Sequence, residues 1–597
     1  MDRAVSIKWL GLWLVLGLIA AGACALQWPA AHLGSEPLPV GNDSFYHARR
    51  ILDTVADPAA FYQFDPHIHA PEGSLLTWPW GYDYVMAWLV KGALAAGAAG
   101  PPIRILIWIP VVAVFASVGL MLLIARRLGL SLGLATLAGL AVALSPLTQA
   151  LHGVGQIDHH FAEYICVLAT IGVGLQWFQR PHDVRVATAL GIVLGGAAAV
   201  HNGLFVLQLP VLAMMAALWA QKMSLPLRAV SFFSAALLVT TLLVLLPSLP
   251  FRQWRFEFYT LSWFHLYVAA GTAAAALAFA ALANTRRNLL LVGAIGAALL
   301  IPLVGQIAAA RTFVAGTLEG LDVIAEMRSL PRMAASAPGR NDLTLLYSLL
   351  VWLAPLAAGF SAWRAWRERR SPRLFFWICC IAGLALLVVQ LRLHYFGSFA
   401  LYLPWLVLAQ DLITRWPARN RLITLGATCA LAIAYWIPAR YQLTQVVAPS
   451  GNVSFRALRP ALATLHDACA REPGIVLADV DAGHYIRYYT DCSVIADNFL
   501  LTPQHVTKLE QVRYLTSQSA EALRQVAPAV RYVLARPVIM SVGDAVPPLT
   551  AELLQSEAAP PAGYVLLRQV NIHKDGQQQS VPYIRLHFIP RTPSPNQ

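Results

Sequence analysis

Charge is scarce in this chain. Only 12% of its 597 residues are Asp, Glu, Lys or Arg, while 58% are hydrophobic. Soluble domains carry about 25% charged residues, so the balance excludes an ordinary soluble fold and indicates a polytopic membrane protein. Cysteine is scarce too. Seven residues are too few for a disulfide framework. Cys24, Cys166, Cys379, Cys380 and Cys429 lie in apolar runs and read as small core residues. Cys469 and Cys492 lie in the polar C-terminal part, where they can pair if that part is outside the cytoplasm. No glycine-rich phosphate loop follows a strand, which argues against a nucleotide-binding site. The net charge of +13 comes from arginines that punctuate apolar runs, a topology signal, so no nucleic-acid partner is expected.

What the chain has in abundance is apolar runs. The first covers Lys8 to Trp28, preceded by Arg3 and Lys8, and reads as a retained first helix rather than a cleaved signal. Others follow at 102–125, 131–150, 161–178, 184–200, 203–221, 229–248, 263–283, 288–308, 343–363, 374–391, 396–414 and 420–437. That makes about thirteen helices at the ~20 residues a bilayer requires. The apolar run at 83–99 is assigned to the first loop. With the N-terminus inside, Arg126-Arg127, Arg180 with Arg185, Lys222 with Arg228, Arg286-Arg287, Arg364 to Arg373 and Arg415 to Arg421 all fall on the cytoplasmic side. The domain expectation is a membrane domain, 1–438, with outer loops 29–101 and 309–342, then an extracytoplasmic domain, 439–597. That last domain reads as mixed α/β, with strands at Gly474–Asp479 and Val530–Leu534 and a helix at Ser519–Gln525.

The outward loops collect acids and imidazoles. Gly155-Gln156-Ile157-Asp158-His159-His160-Phe161-Ala162-Glu163 sits between two apolar runs. Ionisable groups at the mouth of a membrane helix are expensive and need a reason. Asp158 and His160 alternate, so a short turn aims both at one point, and oxygen with nitrogen donors suits Mn²⁺ or Mg²⁺ if further carboxylates join. The plainer alternative is a wet helix cap, with Asp158 as N-cap. The first loop holds Gly41-Asn42-Asp43-Ser44-Phe45-Tyr46-His47-Ala48-Arg49-Arg50, then more acids, imidazoles and aromatics up to Asp83. Aromatics stack on sugar faces and arginine binds phosphate, so a carbohydrate or phosphate site is expected here. An interfacial aromatic belt explains the rings but not Asp43 beside His47. The 309–342 loop carries Glu326 and has glycines that permit hinges, as an acid closing over a site would need, and a solvated loop helix with ordinary acids is the equal alternative. Arg392 ends a helix on the same side, where it suits a lipid phosphate, the alternative being a lone arginine that snorkels to the headgroups.

These motifs occur in a recognisable order. Asp43 follows the first helix, and Asp158-x-His160 lies between the third and fourth. Val323-Ile324-Ala325-Glu326 lies in the long loop, and Asp481-Ala482-Gly483-His484-Tyr485-Ile486 and Ala496-Asp497-Asn498 follow the last helix. The chain resembles the catalytic-subunit family of oligosaccharyltransferases, membrane enzymes of the GT-C glycosyltransferase class, over nearly its whole length. The resemblance implies a GT-C fold and a metal-dependent, inverting transfer of a glycan from a polyprenyl-(pyro)phosphate donor to an extracytoplasmic acceptor. It implies Asp43, Asp158 and His160 as ligands of Mn²⁺ or Mg²⁺, Asp43 and Glu326 as catalytic acids that orient the acceptor, and Arg392 as the donor-phosphate residue. Tyr46, His47, His159, Asp481, Gly483 and His484 are candidate acceptor or donor contacts. The family's acceptor-reading Trp-Trp-Asp-Tyr-Gly is here Asp479-Val480-Asp481-Ala482-Gly483, without the indoles. The acceptor class, protein, lipid or glycan, therefore stays open.

The expected location is the cell (inner) membrane, multi-pass, with the site and C-terminal domain on the periplasmic side. A flippase for lipid-linked glycans would want ionisable groups at midmembrane depth and internal repeats, neither of which the sequence shows. A non-catalytic assembly factor would tolerate alanine at Asp43, which an enzyme would not.

Overall fold

An apolar run crosses a bilayer as a helix because only a helix satisfies all its backbone N–H and C=O groups within the segment. The computed structural model describes residues 3–306, 308–309, 327–447, 452–537, 546–555, 559–573 and 580–591. Among these, 9 helices are long and apolar enough to cross a membrane, or up to 11 if each of two bent pairs is one span. Two shorter apolar helices, Val184–Ala197 and Leu374–Val389, fill the remaining runs. Among the described residues each expected run is thus largely helical, and about thirteen is reached only when both bent pairs and both shorter helices are counted as spans. The bends have local causes. Leu132–Ala143 and Pro146–His152 meet at 54°, where Pro146 cannot donate to the preceding turn. Ala337–Tyr347 and Leu349–Arg367 meet at 103° across Ser348, whose φ is 66°. The run at 83–99, assigned to a loop, is mostly helical (Trp80–Ala95), and this helix is not among the candidate spans.

The described residues fall into two compact units. The first comprises Met1–Pro29, Trp78–Tyr82 and Trp108–Pro449. Its periphery is apolar: helix Arg286–Leu300 has no buried residue, and Leu290 is 75% exposed. Such a surface is stable only with hydrocarbon as its solvent. Inside, Trp13 Nε1 donates to Phe115 O at 2.8 Å and Tyr435 Oη to Ala141 O at 3.2 Å, tying distant helices together. Helix Leu374–Val389 is pressed against the turn that follows it. A Cβ on Gly383 would lie 2.1 Å from Phe396 O, and one on Gly397 2.2 Å from Gly383 O. This close approach, open only to small residues, folds the turn carrying Arg392 back onto its own helix.

The second unit comprises Ala30–Thr77, Asp83–Ile107 and Ser450–Gln597. Its five-stranded sheet runs Ser493–Val494, Ile475–Leu477, Val530–Ala535, Ser580–Phe588, Val565–His573, parallel across the first three strands and antiparallel across the last two. All six residues of the central strand Val530–Ala535 are buried, which is why it reads as a nearly continuous apolar run. Its Arg531 is held by an ion pair with Glu472. The strand and helix expectations for this part hold within a residue or two, including helix Ala520–Val526. Helix Asn42–Ala56 of the first loop packs on this domain, with Phe45 4.6 Å from Phe455 and 4.9 Å from Tyr485 between ring centroids.

Cys469 and Cys492 form a disulfide that ties helix Val453–Arg471 to the segment after helix Val480–Tyr489. Their sequence separation of 23 closes a loop for which the chain-entropy account gives about 3 kcal/mol. Cys469→Ser with Cys492→Ser is expected to speed limited proteolysis of the second unit in the full-length protein. Cleavage as slow as in the oxidised wild type would count against that contribution.

Candidate active site

The first unit places a compact polar cluster at the mouth of helix His160–Gln179. The chain leaves helix Pro146–His152, turns through Gly155 (φ 81°), and presents Asp158 and His159 just before the next helix begins. Asp158 does not cap that helix. The N-cap position is His159, with no side-chain cap bond, and Asp158 Oδ1 instead accepts from the His159 backbone N–H at 2.6 Å. The same oxygen lies 2.7 Å from His159 Nδ1, while Oδ2 lies 3.3 Å from His160 Nε2. The sequence expectation that Asp158 and His160 converge is met.

Glu163, one helical turn on from His160, completes the cluster. Its carboxylate is fully buried, with Oε2 2.5 Å from His160 Nδ1 and Oε1 2.9 Å from His201 Nδ1. His159 and His201 stack at 4.9 Å and 17°. Glu163 carries no role in the sequence pattern, and His201 joins the cluster only in the structure. The signal was present: a carboxylate inside an apolar span is expensive unless paired. An imidazole at i−3 lies on the same helix face and supplies the pairing. Tyr82 Oη donates to Ile157 O at 2.6 Å and fixes the turn from outside.

Arg392 lies in a single 3-10 turn, Leu391–Leu393, between helix Leu374–Val389 and His394–Gly397, and is 9% exposed. The turn is pinned by Leu391 N–H donating to Arg328 O at 3.0 Å. Tyr395 stacks on His160 at 6.0 Å, and Tyr347 Oη lies 2.9 Å from His394 Nδ1. Arg392 therefore lies in the turn just before the short helix whose Tyr395 stacks on His160 of the Asp158–His160 cluster.

The second unit holds Asp43 in the first turn of helix Asn42–Ala56, a quarter exposed, with Oδ1 3.3 Å from His484 Nδ1. His484 is fully buried, and its Nε2 lies 3.7 Å from Asp497 Oδ2, while Asp497 Oδ1 lies 3.3 Å from His69 Nε2. Burial pushes the His484 imidazole down, but Asp43 and Asp497 outweigh it and raise its pKa above the ordinary value. Burial likewise raises the Asp497 carboxyl, and His69 followed by His484 overcomes this and holds it at about 2. A carboxyl depressed on folding adds stability above its ordinary value and loses it as pH falls through the folded value. Stability of this unit is expected to drop between about pH 4 and pH 2, and Asp497→Asn to flatten that part of the curve in denaturant titrations.

Tyr46 and His47 are both buried. Tyr46 Oη donates to Asp65 Oδ2 at 2.8 Å, and His47 Nδ1 lies 2.6 Å from Asp83 Oδ1. Gly483 is a packing position: a Cβ there would lie 2.6 Å from Asp497 Cβ. Asp479 caps helix Val480–Tyr489 and pairs with Arg536, Val480 and Ala482 are buried, and Asp481 is exposed. Glu326 and its neighbours Val323–Ala325 lie outside the described residues.

Which cofactor fits follows from the donors. Asp158 Oδ2 and His160 Nε2 face each other, and Glu163 occupies the other nitrogen of His160. A carboxylate on the remote nitrogen is the usual support of a metal-binding imidazole. The residues of the first unit thus suit a divalent cation.

No protein-family model and no curated protein sequence matches the chain. Solved structures do. The archaeal oligosaccharyltransferase AglB from Archaeoglobus fulgidus, in complex with an inhibitory peptide and a dolichol-phosphate, superposes with a TM-score of 0.74 at 18% identity, over 90% of this chain and 70% of that one. The Archaeoglobus fulgidus oligosaccharyltransferase in complex with Zn and sulfate gives a TM-score of 0.66 at 19% identity, over 91% and 71%. The same enzyme tethered to an acceptor peptide containing the NVT sequon gives 0.69 at 18%, over 89% and 69%. The chain, a polytopic helical membrane domain with a C-terminal sheet domain, has the fold of this archaeal oligosaccharyltransferase.

Proposed function

We propose that the protein is a glycosyltransferase that moves a glycan from a polyprenyl-(pyro)phosphate donor to an acceptor outside the cytoplasm, with metal dependence and inversion at the anomeric carbon. The observation that carries the reading is the Asp158–His160–Glu163 cluster at a membrane-helix mouth, on a chain with the fold of an oligosaccharyltransferase. It fits a location in the inner membrane with the site facing outward, as the distribution of basic loops implies.

Asp43, Asp158 and His160 are the residues assigned to hold a divalent cation, Mn²⁺ or Mg²⁺, which supplies positive charge to the phosphate leaving group. Glu163 fixes the His160 tautomer, so that Nε2 keeps its lone pair toward Asp158. Arg392 donates to phosphate oxygens, where negative charge grows as the glycosidic bond breaks. The exposed oxygens of Asp43 accept a hydrogen bond from the incoming nucleophile, with His484 behind them to hold the carboxylate in place. Glu326 is assigned the second acceptor-orienting carboxylate. Attack from the face opposite the departing phosphate inverts the anomeric centre.

The acceptor is where this chain departs from sequon readers. The segment Asp479–Gly483 offers no aromatic pocket for a small hydroxyl: Asp479 is spent on a helix cap and on Arg536, and only Asp481 is free of burial. A non-sequon acceptor, lipid or glycan, is therefore the favoured reading. The test is a transfer assay with purified protein, Mn²⁺ and a polyprenyl-pyrophosphate glycan, offering an Asn-x-Thr peptide beside a pool of lipid and glycan acceptors. Product on the pool alone is the expected result. Glycopeptide formation would overturn the acceptor assignment, and no donor turnover with any acceptor would overturn the transferase reading.

A further inference from the structure

Trp254 is the most exposed tryptophan among the described residues, at 76%, and it stands where a glycine is ordinary. The short helix Leu249–Arg252 ends in two backbone bonds, Trp254 N–H to Phe251 O and Arg255 N–H to Pro250 O, both 3.1 Å. This is the pattern of a Schellman motif, in which the residue after the C-cap adopts the left-handed conformation and is usually glycine. Trp254 takes that place at φ 59°. A bulky side chain with that backbone is a genuine outlier, and such strain collects at functional sites. Burial does not offset it, because most of the indole faces outward.

The ring is nonetheless held firmly. Trp254 lies parallel to Trp263, 4.7 Å between centroids at 8°, and Trp263 stacks on Phe251 at 4.6 Å and 20°. Phe251 anchors this three-ring ladder in an apolar cluster with Leu245 and Leu261. Trp263 Nε1 donates to Phe251 O, and the Trp263 N–H to Arg255 O, both at 3.0 Å. Trp254 is the outermost ring, and among the described residues Trp263 is its one ring contact, so its other face is bare. Planar polar groups flank it. Arg255 Nε donates to the exposed Gln253 Oε1 at 3.1 Å, and Arg255 Nη1 lies 3.8 Å from Glu257 Oε1. We propose that Trp254 is the platform of a glycan subsite: a pyranose ring stacks its C–H face on the indole, and Gln253 and Arg255 meet its hydroxyls. A tryptophan that only anchors the chain at the bilayer surface needs neither a strained backbone nor fixed planar donors, and Glu257 beside Arg255 disfavours an anionic headgroup. The loop belongs to the same end of the unit as the candidate active site. Asn202, next to His201, donates to Tyr259 O and accepts from His265 Nε2 at 3.0 Å. The ligand's identity rests on the transferase reading, by which the sugars present at that end are those of the lipid-linked donor.

The probe is the free oligosaccharide released by mild acid from the polyprenyl-pyrophosphate glycan of the transfer assay, offered to the full-length protein in lipid nanodiscs. Saturation-transfer NMR is expected to show contact with the sugar ring C–H protons. Trp254→Gly suits the left-handed backbone and removes the platform, so it is expected to fold and to bind about fivefold more weakly, the scale of one lost stacking contact. Trp254→Tyr keeps a flat ring and is expected to retain most of the binding. If Trp254→Gly does not fold, Trp254→Asn, which also tolerates that backbone, decides in its place. Binding unchanged in the folded variant, or no binding by the wild type, would overturn the inference. So would quenching of indole fluorescence by brominated lipid that drops in Trp254→Gly, because it places the ring among headgroups as an interfacial anchor. None of these readouts requires glycan transfer. A protein that binds sugar through Trp254 but turns over no donor, and one that transfers glycan without using Trp254, are therefore separate results.

Discussion

Asp158→Asn is expected to lower glycan transfer by about 10³-fold, in the upper range for loss of a preorganised electrostatic group. The substitution keeps shape and changes charge. One oxygen of Asp158 already receives the His159 backbone N–H at 2.6 Å and faces His159 Nδ1, and the other faces His160 Nε2 at 3.3 Å. An amide satisfies the first role and fails the second, because it offers no anionic oxygen to a cation. The local turn should survive, since it is also held by Tyr82 Oη on Ile157 O. The loss should therefore appear as a raised Mn²⁺ requirement together with a lowered maximal rate, with the melting temperature in detergent nearly unchanged. Initial rates across a range of Mn²⁺ concentrations check this. Wild-type rates at low Mn²⁺ would remove Asp158 from the cation site.

Much of this architecture was legible because a bilayer imposes a simple rule on sequence. Runs of about twenty apolar residues have one fate in hydrocarbon, so each became a helix, even where Pro146 or Ser348 bends it. The central strand of the C-terminal domain was legible for a related reason: buried on both faces, it runs almost uninterrupted in apolar residues. The pairing of Asp158 with His160 was suggested by their spacing, beside the alternative of a helix cap that the structure does not form. The role of Glu163 was not, because i, i+3 proximity matters only once helix His160–Gln179 is known to begin at His160. His201 was out of reach for another reason. It joins the cluster as the N-cap of the 3-10 segment Asn202–Leu207, beyond helix Val184–Ala197, through packing that no local pattern encodes.

The first loop shows how composition misleads in the other direction. Asp43, Tyr46 and His47 looked like one group because they are close in sequence, yet they sit on a helix and diverge. Asp43 is partly exposed beside His484, while Tyr46 and His47 turn inward to Asp65 and Asp83. Asp65 is shared with Arg487 at 2.9 Å and Asp83 with Arg50 at 2.9 Å, so these acids balance buried arginines within the unit. A carboxylate between a tyrosine or histidine and an arginine is a common solution for burying charge. Residue type cannot distinguish it from a binding site.

Arg392→Ala is expected to be the second most damaging substitution, about 10²-fold in kcat/KM for the lipid-linked donor. A donor phosphate carries charge in the ground state and more as it leaves, so the loss should divide between a higher donor KM and a lower kcat. Lysine should recover only part of it. It restores charge but not the planar pair of donors that matches two phosphate oxygens. The mount argues for that stringency. Arg392 projects from a single turn pinned by Arg328 O and by the backbone contact of Gly383 with Phe396, so a differently shaped side chain cannot be accommodated by sliding the turn. The check is steady-state transfer with varied donor, alongside binding of a polyprenyl phosphate that lacks the glycan. If Arg392→Ala binds that phosphate as tightly as wild type, Arg392 is a snorkelling residue at the membrane surface, and the donor phosphate must be held by other cations.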